Sequence, residues 1–188
     1  SRGLGDVYKR QVLFDSPRSA SVQRVAMAFD TQGQVTAMEH DAAAGWPTQV
    51  MAPPALPKAA NGEPYDPFAI SGADHWYSVG KQKVRAISND LANATFRPGW
   101  LRSVGPGWTI WAVESFMDEA AHKLGRDPLE FRLSLLRPEG RNAGSAPMAV
   151  GGASRQAAAL RRAAEMIGWG SEMPPDSGIG LATSFGQE

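Results

Sequence analysis

Six prolines between residues 42 and 74 restrict the fold of this 188-residue chain more strongly than any other feature of its sequence. Proline has no amide hydrogen and a fixed φ, so this density excludes helix interiors and central strands. An Asn61-Gly62 turn signal lies in the same stretch. Long loops are uncommon in a compact domain unless they are functional or pack against something else. The sequence therefore predicts that Ala42–Asp74 is an extended surface segment, ordered by a partner.

Strands are predicted on both sides of this segment, from the alternation of apolar residues with smaller or polar ones. A β-hairpin is predicted at Ser21–Phe29 and Gln34–Asp41, joined by an Asp-Thr-Gln-Gly turn at residues 30–33. A short strand is predicted at Lys83–Ser88. A further strand is predicted to begin at the end of the chain, at Gly178–Gly186.

Three helices are predicted in the second half of the chain from apolar residues at a period of 3.6. The first is Thr109–Leu124, ended by Gly125, which suits a left-handed C-cap. The second follows the N-cap Asp127 and runs through Leu136. The third is Ser154–Ile167. Strands followed by helices, without regular alternation, predict an α+β fold.

Composition excludes several classes of function. Nineteen basic and nineteen acidic residues give a net charge of zero, which argues against a nucleic-acid partner. With no cysteine, the chain cannot form a disulfide, bind an iron–sulfur cluster through its own thiolates or use a thiol nucleophile. The histidines His40, His75 and His122 are dispersed and lack metal-ligand spacing. We therefore expect no metal ligands in this chain.

The first eleven residues, Ser1–Gln11, show no periodicity and no continuity with the hairpin predicted after them. They are interpreted as a non-native leader. We expect residues 12–188 to be part of a domain whose remainder lies in a longer protein.

The stretch that says most about function is Phe96–Trp108, which ends at the first predicted helix. It combines three glycines, two prolines, two tryptophans and two arginines. Glycines let a ligand approach the backbone, and arginine offers a planar charged fork to an anion. Two interpretations stay open: a loop facing an anion or cofactor, and a tight corner packed with tryptophan. Glu114, on the following helix, is expected to pair with Arg102 and fix this loop.

The run Trp-Leu-Arg-Ser-Val-Gly at residues 100–105 is followed by Ala-Val-Glu-Ser-Phe-Met-Asp-Glu-Ala-Ala at 112–121 and Asp-Pro-Leu-Glu-Phe-Arg at 127–132. These runs resemble the molybdopterin-binding large subunit of the xanthine dehydrogenase and aldehyde oxidase family. The likeness is greatest to the isoquinoline 1-oxidoreductase β-subunit branch, which has W-R-S-V-G, A-V-E-S-F-x-D-E-L-A and D-P-x-x-F-R at these places. The resemblance implies that the chain is part of the molybdopterin-binding domain of a molybdenum hydroxylase.

The same resemblance implies roles for individual residues, because the loop aligns with the family's A-F-R-G-F-G motif beside the molybdenum and its pterin. Leu101, Arg102, Ser103 and Gly105 would then be cofactor-binding residues. Val104 replaces the motif's second phenylalanine, which lines the substrate pocket in xanthine-oxidising members. This replacement disfavours a purine substrate and leaves aldehydes and other N-heterocycles open.

The resemblance also implies a cofactor and partners. The cofactor would be molybdenum–molybdopterin cytosine dinucleotide, and the oxygen atom added to the substrate would come from water. A [2Fe-2S] small subunit would carry electrons onward, to a cytochrome or another acceptor. The family's catalytic glutamate has no match in these residues, so we expect the chain alone to be inactive. Whether such a bacterial protein is periplasmic or cytoplasmic stays open.

An alternative of a different class remains. The chain could be a non-catalytic interaction module that binds a partner chain through its proline-rich Ala42–Asp74 segment.

Overall fold

The structure, a computed structural model, describes residues 16–73, 75–138 and 152–184. Its strands are β1 (Ser21–Phe29), β2 (Val35–Ala44) and β3 (Lys81–Ser88). Its helices are α1 (Pro47–Met51), α2 (Pro67–Ile70), α3 (Asp90–Phe96), α4 (Pro106–Lys123), α5 (Pro128–Leu135) and α6 (Ala153–Ile167), with a 3-10 turn at Pro53–Ala55. This mixture of a small sheet with helices confirms the predicted α+β class.

The predicted hairpin is present. β1 and β2 are antiparallel, and the side chain of Asp30 accepts hydrogen bonds from the N–H groups of Gln32 and Gln34 in the connecting turn. Gly33 has φ +74°, a left-handed value that glycine adopts without strain. β2 continues to Ala44, beyond the predicted end at Asp41, because its alternate side chains stay buried to that point.

The predicted third strand is also present and begins earlier, at Lys81. β3 pairs with β2 in parallel, which places Arg85 beside Asp41 on the outer face of the sheet. Their side chains form an ion pair, with 2.6 Å between Arg85 Nη2 and Asp41 Oδ2. The opposite face, which includes Met38, contributes to the hydrophobic core.

The prediction that Ala42–Asp74 is extended throughout is wrong. Its prolines begin short helices, because a proline at the first helical position loses no hydrogen bond. Asp66 is fully buried and accepts hydrogen bonds from Thr48 N, Thr48 Oγ1 and Phe68 N at 2.7–3.0 Å. This carboxylate ties α1 to α2, so the segment packs as a connection between two parallel strands, which require a long crossover.

The three predicted helices are present with shifted ends. α4 begins at Pro106, earlier than the predicted Thr109, and Gly125 has the expected left-handed φ of +62°. Asp127 caps α5 through the N–H groups of Leu129 and Glu130. α3 was not predicted; Asn89 caps it by accepting from Ala92 N.

The predicted strand Gly178–Gly186 is wrong over the part that the structure describes. Residues 178–184 have no β partner, because this stretch instead lies beside α4, where Thr183 N donates to Glu114 Oε2 at 3.0 Å. Leu181 packs against the core. Residues 185–186, the predicted leader Ser1–Gln11 and residues 139–151 lie outside the described residues.

The core lies between the inner face of the sheet and helices α4, α5 and α6. Its fully buried members include Tyr77, Val79, Val113, Met117 and Phe131. Among the helices in the described ranges, none is both long enough and apolar enough to cross a bilayer.

Candidate cofactor-binding loop

Residues 100–105, here called the 100–105 loop, form a tight turn that leads into α4. The N–H of Val104 donates to the carbonyl of Leu101 at 2.7 Å and closes the turn. Ser103 and Val104 have φ values of +70° and +43°. Left-handed backbone costs about 1–2 kcal/mol for a residue with a side chain, and such outliers cluster at functional sites.

The loop divides into an exposed part and a buried part. Leu101, Arg102 and Ser103 are exposed, whereas Val104 and Gly105 are buried. A side chain at Gly105 would collide with α2 and the residue after it, since a Cβ there would overlap the carbonyl oxygen of Phe68. Glycine at position 105 therefore permits the close approach between the proline-rich segment and the start of α4.

The proline-rich segment anchors both ends of the loop. At one end, Trp100 Nε1 donates to Thr48 Oγ1 at 3.3 Å, and the Trp100 ring lies edge-on to Phe68 with 6.3 Å between centroids. At the other end, Thr109 Oγ1 donates to the carbonyl of Ser71 at 2.5 Å. These contacts fix the loop's position against residues that lie more than thirty positions earlier in the chain.

The exposed part of the loop carries unused hydrogen-bond donors. No acceptor within the described ranges binds the N–H of Arg102 or of Ser103, and the Arg102 guanidinium has no ion-pair partner there. Arg18 Nη2 donates to the Arg102 carbonyl at 3.2 Å and adds a second guanidinium to this surface. The two unpaired amides and the two guanidinium groups together suit an anionic group rich in acceptor atoms.

The predicted pair between Glu114 and Arg102 is wrong. Glu114 Oε2 binds Arg132 Nε at 2.9 Å, and its other oxygen accepts from the Tyr77 hydroxyl at 2.8 Å. Arg132 is fully buried and also binds Asp118. Burial raises the pKa of the Glu114 carboxyl, while Arg132 and these hydrogen bonds oppose the rise. The pair joins α4 to α5 and leaves Arg102 free.

The histidines do not contribute to the loop. His40 and His75 are buried in the core, where His40 Nε2 bonds Gln23 Oε1 at 2.7 Å. Burial lowers the pKa of each to about 4, so both are neutral at pH 7. In the part of the chain that the structure describes, no three His, Asp or Glu side chains are grouped as metal ligands.

The residues that position the loop were not found from the sequence, although one of them carries a local signal. Asp66 before Pro67 is a recognisable N-cap pattern. Thr48, Thr109 and Arg18 carry no such local signal. In the part of the chain that the structure describes, this α+β domain presents an exposed turn with unpaired N–H groups, which is an arrangement typical of a ligand-binding domain.

A comparison with known families and proteins agrees with that class. The family model for the molybdopterin cofactor-binding domain matches residues 7–135. The chain is 60% identical over 176 residues to the membrane-bound aldehyde dehydrogenase (pyrroloquinoline-quinone) of Gluconacetobacter polyoxogenes, covering 93% of this chain and 23% of that protein.

The fold is shared with a solved structure. The aldehyde oxidoreductase from Desulfovibrio gigas aligns with a TM-score of 0.53 and 23% identity, over 88% of this chain and 18% of that one. The aldehyde oxidoreductase from Desulfovibrio desulfuricans aligns with a TM-score of 0.49 and 25% identity, over 71% of this chain and 14% of that one.

The chain belongs to the molybdopterin cofactor-binding domain family. This confirms the resemblance to the large subunit of the xanthine dehydrogenase and aldehyde oxidase family. The chain spans 23% of the length of the curated relative that it matches. The roles of Leu101, Arg102, Ser103, Val104 and Gly105 toward cofactor and substrate stay predictions.

Proposed function

We propose that this chain forms part of the cofactor-binding surface of a molybdenum enzyme that oxidises aldehydes, and that the 100–105 loop faces the cofactor. The observation that carries the proposal is the 100–105 loop, which is strained at Ser103 and Val104 and exposes backbone and guanidinium donors at Arg102 and Ser103 that have no partner among the described residues. A turn that costs free energy and leaves its donors unused is explained by a ligand that binds them.

The residues present fit a molybdopterin. Arg102 supplies a planar fork, and the N–H groups of Arg102 and Ser103 supply two more donors toward pterin or phosphate acceptors. When bound, the cofactor supplies the two-electron oxidation of the substrate, with water as the source of oxygen. In this chain, Leu101 would present its backbone to the cofactor, and Gly105 keeps the loop close to α2. The cytosine dinucleotide form follows from the family resemblance.

The proposed substrate is an aldehyde, because the related proteins from Gluconacetobacter and Desulfovibrio are both named for aldehyde oxidation. Val104 is the proposed substrate-side residue of the loop. It is buried at the base of the turn, and an aliphatic side chain at this position offers no ring against which a purine could stack.

We propose that a partner subunit carries electrons away from the cofactor. The chain contains no cysteine, so a [2Fe-2S] cluster would be carried elsewhere, with a cytochrome or another acceptor after it. By the family resemblance, the general base would be a glutamate that also lies outside these residues.

The identity of the cofactor is the first thing to test. The Gluconacetobacter relative is named for pyrroloquinoline quinone, whose carboxylates would also suit the loop's donors. The complete protein, purified from its host, should contain about one molybdenum per subunit by elemental analysis, and an extract should contain pterin. A stoichiometric quinone without molybdenum would overturn the proposal.

The second test is the variant Arg102→Ala in the complete protein. Loss of a charge-assisted contact of about 1.5–3 kcal/mol predicts an approximately 10- to 150-fold fall in molybdenum occupancy or turnover. Arg102→Lys should restore little of the molybdenum occupancy or turnover, because an ammonium group cannot reproduce the planar guanidinium fork. Arg162→Ala, which removes an exposed surface ion pair with Glu165, is the matched control. Full occupancy and turnover in folded Arg102→Ala would exclude Arg102 from the site.

A further inference from the structure

We infer that Arg18 is a positioning residue that sets the direction in which the 100–105 loop presents its backbone donors, and that Gly107 leaves the space in which Arg18 lies. The inference rests on the proposed function, because it concerns the same loop. It adds a residue that lies 84 positions away from the loop in sequence.

The first observation is the contact between Arg18 and the loop backbone. Arg18 Nη2 donates to the carbonyl oxygen of Arg102 at 3.2 Å. A peptide unit is planar and trans, so the Arg102 carbonyl and the Ser103 N–H point in opposite directions from the same plane. By binding the carbonyl, Arg18 fixes the direction of the Ser103 N–H, which is one of the unpaired donors on the exposed side.

The second observation is the space above Gly107. A Cβ at this position would lie 2.7 Å from both Cζ and Nε of Arg18. Gly107 lies in α4 and its φ is not positive, so its backbone does not require glycine. The absence of a side chain there is explained by the guanidinium that occupies the space.

The third observation is the anchoring of the chain around Arg18. Ser19 Oγ donates to the carbonyl of Gly45 at 2.7 Å, and Gly99 N donates to the carbonyl of Pro17 at 3.3 Å. Hydrogen bonds therefore hold both residues that flank Arg18, Pro17 and Ser19, in place. Across the described ranges it has no carboxylate partner, so its charge is directed at the loop alone.

The test uses Arg18→Ala, Gly107→Ala and the double variant in the full 188-residue chain. The readout is the rate at which trypsin cuts the exposed Arg102–Ser103 bond, followed by mass spectrometry. Each single variant should raise this rate about three- to tenfold, the range expected for losing one hydrogen bond to a charged donor at a solvent-exposed site. Because alanine is a better helix former than glycine, a faster cut in Gly107→Ala cannot come from a weaker α4.

Non-additivity is the decisive outcome. If both substitutions remove the same contact, the double variant should be cut no faster than either single variant. The midpoint of thermal unfolding should fall by no more than about 5 °C, the shift expected for losing one such contact in a chain of this size, and Arg18→Lys should restore part of the protection. Gly178→Ala is the control, since a Cβ there meets nothing within 4 Å. An unchanged rate in Arg18→Ala, or additive effects in the double variant, would overturn the inference.

A separate measurement distinguishes this inference from the proposed function. In the complete protein, Arg18→Ala and Gly107→Ala should each lower molybdenum content, while Arg24→Ala on the outer face of the sheet should not. Full molybdenum content with faster cutting would show that Arg18 holds the loop without orienting it for the cofactor, and would overturn the inference. Full content in Arg102→Ala would instead overturn the proposed function.

Discussion

Replacing Arg132 with methionine should lower the free energy of unfolding by about 3–5 kcal/mol, the usual cost of leaving a buried charge without its partner. The Arg132 side chain is fully buried, so no water can replace its lost contacts. Those contacts are with Glu114 Oε2 at 2.9 Å, the Glu114 carbonyl at 2.8 Å and Asp118 Oδ1 at 2.7 Å. Methionine fills much of the volume but leaves the Glu114 carboxylate without a cation.

Urea denaturation at pH 7, followed by circular dichroism, measures this loss. Asp118→Asn is the control, because the Asp118 side chain is half exposed and its ion pair should contribute less than about 1 kcal/mol. The double variant Arg132→Met with Glu114→Gln should recover part of the loss, since it leaves no unpaired charge. A loss below about 1 kcal/mol for Arg132→Met, or a double variant as unstable as the sum of the singles, would refute the reasoning.

Three further outcomes are expected. Ser103→Gly should raise the free energy of unfolding by about 1 kcal/mol in denaturant titration, because glycine adopts φ +70° without strain; a decrease would contradict the strain argument. His40 and His75 have pKa values of about 4 in the folded protein, against 6.5 when unfolded, so the protein should be fully stable above pH 6.5. Between pH 6.5 and pH 4, each histidine should lower the free energy of unfolding by up to about 1.4 kcal/mol per pH unit, because the unfolded chain binds the proton more tightly. Flat stability from pH 7 to 5 would count against their burial as neutral groups. Deleting Ser1–Gln11 should leave the thermal midpoint unchanged, because these residues offer no periodic apolar face to bury, and a fall of several degrees would show that they are structural.

Features decided by neighbouring residues could be predicted from the sequence. The Asp30 turn and the Asp127 cap are made by side chains that bond to backbone groups two to four positions away. The strand predicted at Gly178–Gly186 was wrong over the described residues 178–184, because a strand pattern in the sequence does not supply a partner strand. There, a single N–H bonds to Glu114 on α4 instead.

The candidate site shows the same difference between features set by neighbouring residues and features set by distant ones. The glycines, prolines and tryptophans around Arg102 left two interpretations open, a loop facing an anion or cofactor and a tight corner packed with tryptophan, and the structure has a tight turn before α4. The partner of Glu114 was wrong because Arg132 reaches it from the next helix, at a separation that no helical repeat indicates. Arg18 contacts the loop only because the sheet and α4 pack together, and nothing in its own surroundings in the sequence indicates this.

The parallel pairing of β2 with β3 has a consequence for the order of folding. β1 and β2 are joined by a short turn, and hairpins of this kind form in about 1–10 μs. β3 can pair only after residues 45–80 have closed a crossover that contains no long helix, and such non-local contacts form slowly. Until then, one edge of β2 exposes unpaired backbone groups beside apolar side chains. During synthesis, that edge is open to pairing with another nascent copy.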